Sequence, residues 1–98
     1  MSIRLIDHGR AEAAIRASRE YADLLAELAR ALKAQRNEIH SHWQGASFDQ
    51  FSEDIDSVLR LLSHSEAASR SASRRMAQGL QRARDDEREA ELRALQGL

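Results

Sequence analysis

The stretch HSHWQGASFDQF, residues 40–51, holds the only tryptophan of this 98-residue chain, with a glycine two positions later. The sequence on both sides is rich in Ala, Leu, Arg, Glu and Gln, which favour helix, and the chain has no proline. Gly45 can take the left-handed conformation that closes a helix C-terminus, and Ser47 followed by Gln50 has the spacing of a capping box that starts the next helix. The stretch therefore predicts a turn, at about residues 43–47, between two long helices.

Apolar and small residues alternate at spacings of three and four on both sides of this turn. They predict one helix over about residues 7–42 and a second from about residue 48 to 84 or beyond, followed by a mobile tail to residue 98. A short connection makes the helices antiparallel neighbours, and folding the chain back at Gly45 places Tyr21 opposite Ser69. The residues predicted to form the hairpin core are Tyr21, Leu25, Leu28, Leu32, Ile39, Phe48, Phe51, Ile55, Val58, Leu62 and Met76.

The apolar stripe is wider than two helices require, because further apolar residues flank the predicted core. A two-helix hairpin buries only the residues along the contact between its two helices, so these flanking residues would remain exposed to solvent unless another surface covered them. At about 25 cal/mol per Å², covering several Leu and Ile side chains would supply on the order of 5 to 10 kcal/mol. We therefore expect an all-α single domain, residues 1–98: an antiparallel helix-turn-helix hairpin that dimerises into a four-helix bundle. The predicted dimer face consists of Ile15, Leu24, Leu59, Leu61 and Leu80.

Composition argues against several other functions. The chain has no cysteine, which excludes a disulfide framework, a thiolate metal site and a catalytic thiol. His40 and His42 are two residues apart and point to different helix faces, and no nucleophile and base are brought together, so we expect no metal, no cofactor, no enzyme activity and no small-molecule substrate. No apolar run has the length of a signal peptide or a membrane span, so by the usual routes the protein would stay in the cytosol without membrane insertion.

An alternative function rests on a basic stretch of the second helix. The arginines of this stretch are Arg70, Arg74, Arg75, Arg82 and Arg84. They could contact phosphates, but an acidic run that begins at Asp85 and the net charge of −1 argue against a strong nucleic-acid footprint. A cytosolic helical-bundle interaction module that binds nucleic acid through Arg70–Arg84 remains the alternative.

Trp43-Gln44-Gly45 matches the motif W-x-G, near the middle of a chain of about one hundred residues and between two long helices. In length, hairpin pattern and motif position the chain resembles the WXG family, the early-secreted-antigen-like small proteins of bacterial type VII secretion. The resemblance implies a homodimer or heterodimer that is exported from the cytoplasm, folded and without a cleaved signal peptide, through the type VII secretion ATPase. It also implies that Trp43 and Gly45 form the turn and part of the export motif.

The chain departs from the family pattern in its tail. Family substrates commonly carry a Tyr-x-x-x-Asp/Glu signal after the second helix, whereas the only tyrosine here is Tyr21 and the tail REAELRALQGL has no aromatic residue. Either a partner supplies the signal, or a different signal is used, or the chain is not exported, and we favour the first. The expected partners are a second copy, a paralogous WXG-type protein or the helical N-terminal domain of a larger secreted toxin, for which this chain would act as a targeting factor or chaperone.

Overall fold

The structure, a computed structural model, describes residues 7–97, which form two antiparallel helices. Helix α1 spans His8–His40 and helix α2 spans Ala46–Gln96. The molecule measures 80 × 15 × 14 Å, and its radius of gyration is 22.6 Å, against about 13 Å for a compact domain of this length. The protein is thus a long pair of rods, which confirms the predicted all-α hairpin. Along residues 7–97 no helical segment combines the length and apolar character that crossing a bilayer requires.

The connection between the helices lies earlier in the chain than predicted. Helix α1 ends at His40, and the next backbone N–H groups, of Ser41 and His42, donate to the carbonyl groups of Glu38 and Ile39. Helix α2 begins at Ala46. The turn therefore occupies residues 41–45, about two residues earlier than the sequence indicated.

Gly45 supplies the backbone conformation that starts α2. Its φ of 111° and ψ of −171° lie in a region open essentially to glycine alone, and its carbonyl oxygen accepts the first helical hydrogen bond, from Asp49. The predicted capping box at Ser47 and Gln50 is wrong, because Gly45 is the N-cap of α2 and Ser47 already lies inside the helix. Gln50 donates to Asp54 instead. Helix α2 thus begins after Gly45 without a hydrogen bond from a capping side chain.

Replacing Gly45 by Ala is expected to lower the free energy of unfolding by about 1 to 3 kcal/mol, because the added Cβ disfavours the positive φ. A Cβ at this position meets no atom within 4 Å, so the whole effect comes from the backbone. Gly9→Ala is the matched control: Gly9 is helical and exposed, and we expect a neutral or slightly stabilising change. Equal urea midpoints for the two variants would contradict the assigned strain.

Small side chains line the centre of the contact between the helices. Ala22 and Ser73 are buried there, and the Ser18 hydroxyl donates to the Ser69 carbonyl oxygen at 3.1 Å. The Ser73 hydroxyl donates to the same oxygen from within α2, at 2.9 Å. Because no large side chain separates them at this point, the helices approach closely. Ser18 lies one helical turn from Tyr21, the residue that the sequence had placed opposite Ser69, so the predicted antiparallel pairing holds to within about one turn.

Only part of the predicted core lies between the helices. Phe48 is buried, and the other predicted residues that keep their place on the contact line are half-buried, namely Leu25, Leu32, Ile39, Phe51, Ile55 and Leu62. The remaining four lie outside it: Tyr21 is 54 % exposed, Leu28 is 49 % exposed, and Val58 and Met76 are exposed as well. The prediction that these four form the hairpin core is therefore wrong for the single protomer.

The difference has a simple geometric cause. Each seven-residue repeat places two residues on the contact line between the helices. The first of them is as predicted, but the second lies one residue later, at Ala22 instead of Tyr21 and at Leu59 instead of Val58. Small residues such as Ala22 permit the close approach, whereas a tyrosine at the same point would hold the helices apart. Each helix is therefore rotated about its own axis, relative to the predicted orientation, by less than the angle that separates two successive residues.

The same rotation changes the predicted dimer face. Ile15 and Leu80, placed on that face by the sequence, are only 7 % and 5 % exposed because they pack between α1 and α2. Leu59 is half-buried in the same contact. Leu24 and Leu61, in contrast, are 63 % and 67 % exposed. Two of the five predicted residues thus remain open to a partner.

The end of α2 extends past the start of α1. His8, the first residue of α1, lies beside Glu87, with 3.0 Å between its Nε2 and the carboxylate oxygen. Helix α2 continues beyond this point to Gln96, with Leu92 and Leu95 exposed. The segment expected to be a mobile tail is helical through Gln96, and the Gly97 N–H donates to the Arg93 carbonyl oxygen at 3.0 Å.

Candidate functional site: an apolar face and an aromatic turn

One side of the hairpin carries the ion pairs that join the two helices. Arg70 binds the Asp23 carboxylate at 3.1 Å, and Arg84 binds Glu12 in the same way. A third pair joins Arg36 and Asp56. Asp23 follows the buried residue Ala22, so its side chain is turned to one defined side of the contact line. We call the side that holds these pairs the ionic face.

The exposed large apolar residues lie on the opposite side. Tyr21 precedes the buried Ala22, and Val58 precedes the half-buried Leu59, so both are turned away from the ionic face. In two antiparallel helices, positions that precede the contact line project to the same face of the pair. We call this side the apolar face; its members are Ala14, Ala17, Tyr21, Leu24, Leu28, Ala31, Val58, Leu61, Ala68, Ala72 and Met76.

The apolar face is unusual for a protein that functions alone. Single exposed leucines are common on monomers, but here Tyr21, Leu24 and Leu28 form a continuous stripe at helical spacing, beside Val58 and Leu61 of the second helix. Contiguous apolar surface bordered by charged residues marks sites of protein association. The residues excluded from the protomer core are thus gathered into one surface.

Four aromatic rings close the hairpin at its turn. Phe48 is stacked on His40 with 4.6 Å between ring centroids, and Trp43 contacts Phe48 edge-on at 5.8 Å and Phe51 at 5.5 Å. The Trp43 indole N–H donates to the Ser47 hydroxyl at 3.1 Å. Trp43 still exposes 39 % of its surface. The indole therefore both covers the end of the core and remains available to a partner.

His40 is the functional-site residue that sequence reasoning missed. It was considered only as a metal ligand, whereas its ring forms part of the aromatic turn. The spacing between His40 and Phe48 gave no signal, because the turn between them decides whether the two rings meet.

Two of the other histidines, His8 and His42, have local partners. His8 contacts Glu87 and accepts from Arg84 Nε at 3.4 Å, which assigns the Nε2–H tautomer to the neutral ring. His42 lies 3.7 Å from the Glu38 carboxylate. Within residues 7–97, no three His, Asp or Glu side chains are grouped as a metal site requires.

The arginines of the basic stretch do not form one surface. The hydrogen bonds that Arg70 donates to the carboxylates of Glu66 and Asp23 raise its pKa above the ordinary value, so this side chain stays charged within the ionic face. Arg84 is held there by Glu12. Arg75 and Arg82, in contrast, occupy positions at the edge of the apolar face. A phosphate backbone would therefore meet only part of the stretch at a time.

A shallow groove of about 400 Å³ lies on the ionic face near the open end of the hairpin. Ile15 and Leu80 form its floor, while Arg16, Arg19 and Arg84 stand at its rim. The one carboxylate in the lining, that of Glu12, is paired with Arg84. Two of its charged groups are thus paired with each other, and the lining places no nucleophile beside a base.

In comparisons with known proteins, no family model, curated protein or solved structure matches the chain. The apolar face and the aromatic turn are therefore the features from which a function can be argued.

Proposed function

We propose that this protein is a non-enzymatic interaction protein of bacterial type VII export, acting as a substrate, partner or targeting factor in the form of a dimer. The apolar face is the observation that carries the proposal. Its large side chains are folded into helices yet remain exposed in the protomer, as expected of residues whose burial takes place in a complex.

The magnitude of this burial is sufficient for association. A leucine that passes from exposed to buried contributes about 1.5 to 3 kcal/mol, so covering Leu24, Leu28 and Leu61 alone supplies several kcal/mol before the losses on association. The face has space for a second helical hairpin, because its apolar residues extend along both α1 and α2. A four-helix bundle is the simplest assembly that covers it.

The aromatic turn supports the link to type VII export. W-x-G occupies the turn of this hairpin, with Gly45 in a conformation that glycine alone adopts readily and Trp43 partly exposed beside it. A different physical property thus accounts for each residue of the motif: the backbone conformation for Gly45 and the partly exposed indole for Trp43. An exposed indole, apolar with one polar N–H, is also a common anchor in protein recognition.

The absence of enzymatic function is part of the same proposal. The carboxylates that lie between the helices are engaged with arginines, as in the pairs Glu12–Arg84 and Asp23–Arg70. The groove beside them is shallow and open. These features favour a structural role for the charged side chains over a catalytic one.

The proposal is tested by export. A tagged chain, expressed in a bacterium with a type VII system, is expected in the culture medium of the intact strain and to be retained in a strain whose type VII ATPase is inactive. Candidate companion proteins can be co-expressed to supply a missing signal. Retention in the intact strain, with and without such a companion, would contradict the export role.

Trp43→Ala separates recognition from folding. We expect this variant to keep its helical circular dichroism signal, because the indole is partly exposed, but to lose export. Trp43→Phe is the matched control, since it retains an aromatic ring against Phe48 and Phe51 but removes the N–H that binds Ser47. Undiminished export of the alanine variant would show that the indole is not part of the signal.

A further inference from the structure

Six cations of the ionic face take no part in the ion pairs of this face. Each of them directly follows a residue of the contact line between the helices, as Asp23 follows Ala22, so its side chain projects to the same face. All six are exposed, and none forms an ion pair with a carboxylate of residues 7–97. They are Arg16, Arg19, Arg30, Lys33, Arg60 and Arg74.

The six cations form two groups, one on each side of the ion pair between Asp23 and Arg70. One group lies toward the open end of the hairpin, and we call it the open-end triad: Arg16, Arg19 and Arg74. The other lies toward the turn, and we call it the turn-side triad: Arg30, Lys33 and Arg60. Each triad takes two residues from α1 and one from α2, so the antiparallel pairing of the helices assembles both.

The two triads repeat the same arrangement of charge. Each member of one triad lies fourteen residues from a member of the other on the same helix, in the pairs Arg16 and Arg30, Arg19 and Lys33, and Arg60 and Arg74. Fourteen residues correspond to roughly 21 Å along a helix, and residues at a seven-residue spacing lie along one stripe of it. The ionic face therefore presents two equivalent clusters of positive charge, about 21 Å apart along the long axis of the molecule.

The surface between the triads does not hinder a ligand that spans them. Arg70 is paired there with Asp23 and with Glu66. Two further residues that follow the contact line at this level are Ala26 and Ala67, whose side chains are small. A straight, rigid ligand can thus approach both triads at once.

The net charge of −1 does not cancel this positive surface. The carboxylates beside the triads, those of Glu12, Asp23, Asp56 and Glu66, are already paired with arginines. Carboxylates on the other sides of the molecule are separated from the ionic face by a rod of 15 × 14 Å in cross-section. Because charges are screened over about 8 Å at physiological ionic strength, a ligand on the ionic face meets a basic surface.

The side chains around the triads decide which kind of polyanion fits. The exposed large apolar residues of the described chain belong to the apolar face, to the turn and to the end of α2, and none of them lies on the ionic face. A protein partner would lack the apolar anchors that dominate protein interfaces, and a single nucleic-acid strand would lack aromatic side chains to stack on. A membrane would lack the second anchor that stable binding requires besides a basic patch. The phosphate backbone of a duplex, in contrast, is bound by arginine and lysine side chains without such anchors.

The spacing of the triads suits the grooves of B-form DNA. Its major groove is about 12 Å wide, and with the bordering phosphate groups included roughly 18 Å separates the two backbones. The hairpin measures 15 × 14 Å across, so it is too wide to enter this groove. Two triads about 21 Å apart can instead each meet one of the two backbones, because arginine side chains are long and their planar guanidinium groups match phosphate.

We propose that the ionic face binds double-stranded DNA through its phosphate backbone, with the hairpin lying across a major groove and one triad on each border. Because the cations meet phosphates and no side chain enters the groove to reach the base edges, binding is independent of sequence. Of the arginines in the basic stretch Arg70–Arg84, only Arg74 belongs to a triad, and four of the six cations come from α1. The DNA site is therefore a property of the folded hairpin and not of one stretch of sequence.

This inference goes beyond the proposed function and does not depend on it. The ionic face lies opposite the apolar face, so a partner that covers the apolar face leaves both triads open. A dimer that is exported but does not bind DNA would overturn the DNA site alone. A chain that binds DNA through the triads but is never exported would support the DNA site and contradict only the export role.

Fluorescence anisotropy of a labelled DNA duplex, titrated with the full chain, measures the affinity and its dependence on salt. We expect a Kd on the order of 1 to 100 µM at low salt. The logarithm of the association constant should fall with the logarithm of the salt concentration at a slope of roughly −5, since each neutralised phosphate contributes about −0.9. Absence of binding at low salt, or a slope near zero, would overturn the proposal.

Removal of one triad tests where the DNA binds. The variant Arg16→Gln/Arg19→Gln/Arg74→Gln is expected to weaken binding about 10- to 100-fold at low salt and to reduce the slope by about three. Circular dichroism reports whether the helices persist. An unchanged affinity and slope in this folded variant would overturn the assignment of the site to the triads.

The matched control removes the same charge from the other side of the molecule, in the variant Arg10→Gln/Arg75→Gln/Arg82→Gln. Arg75 and Arg82 lie at the edge of the apolar face, and Arg10 lies on the stripe of Leu24, fourteen residues before it. This variant should keep the slope and leave the affinity within about threefold. An equal loss in both variants would mean that overall charge, and not the ionic face, carries the binding.

Two other ligands separate duplex DNA from the remaining polyanions. A single strand of the same sequence, and vesicles of equal parts phosphatidylglycerol and phosphatidylcholine, are expected to bind more weakly at an equal concentration of negative charge. The reason is that the exposed large apolar and aromatic residues of the described chain lie away from the triads. Tighter binding to the single strand or to the vesicles than to the duplex would overturn the proposal and assign the triads to that ligand.

Discussion

Replacing Phe48 by Ala is expected to lower the free energy of unfolding by about 3 to 5 kcal/mol, because it removes the only large aromatic side chain that is buried in the described hairpin. The Phe48 ring contacts three others, those of His40, Trp43 and Phe51, at centroid distances of 4.6, 5.8 and 6.2 Å. Its loss leaves a cavity at the point where the chain reverses. Urea unfolding followed by circular dichroism at fixed protein concentration measures the effect.

Leu92→Ala is the control for this measurement. Leu92 is exposed on the part of α2 that extends past α1, so its truncation should change the unfolding free energy by less than about 0.5 kcal/mol. Similar values for the two variants would contradict the assignment of the aromatic turn as the anchor of the hairpin.

Leu24→Glu is expected to weaken self-association at least about 100-fold, the second large effect. Leu24 is 63 % exposed in the protomer, so a glutamate there is compatible with the folded hairpin. In a dimer that covers the apolar face, however, the substituted side chain would bury a carboxylate without a partner. Sedimentation equilibrium gives the Kd, and circular dichroism reports whether the helices persist.

Leu95→Glu is the matched control, since Leu95 is equally exposed but lies outside the apolar face, near the end of α2. It is expected to leave the Kd within a factor of about two. Unchanged association of the Leu24 variant, or an equal loss in the Leu95 variant, would mean that the apolar face is not the interface.

The hairpin could be predicted from the sequence, whereas the rotation of its helices could not. Alternating apolar spacing and a glycine at the break indicate two antiparallel helices. Each repeat, however, offers three positions that neighbour one another on the helix surface and could face the other helix, as at Tyr21, Ala22 and Leu25. Hydrophobicity favours Tyr21 as a core residue. The structure selects Ala22, because close approach of the helices depends on side-chain volume on both helices at once.

The large residues that the sequence assigned to the core still belong to an apolar surface. Tyr21, Leu28 and Val58 were expected to pack inside the hairpin, and they lie on the face that the single hairpin leaves open. A sequence pattern does not distinguish burial within a chain from burial between chains, since both arise from the same removal of apolar area from water. The assignment of Ile15 and Leu80 to the dimer face was wrong for the same reason.

The sequence predicted that Gly45 lies in the turn, but it did not predict the turn's backbone conformation or side-chain contacts. Gly45 was expected to take the left-handed conformation that closes the first helix, whereas it precedes α2 with a φ of 111° and a ψ of −171°, and Ser41 caps α1. The role of Ser47 was not predictable, because a capping serine and a serine that accepts from a tryptophan have the same local sequence. The hydrogen bond from Trp43 depends on where the indole lies after the chain has reversed.

The molar mass of the unmodified chain in solution tests the central claim, that the apolar face is covered by another molecule. Sedimentation equilibrium or light scattering at concentrations up to the order of 100 µM is expected to give about twice the 11.1 kDa of one chain, with a strongly helical circular dichroism signal. A fully helical, cooperatively unfolding species of 11.1 kDa over that range, alone and with candidate hairpin partners, would contradict it.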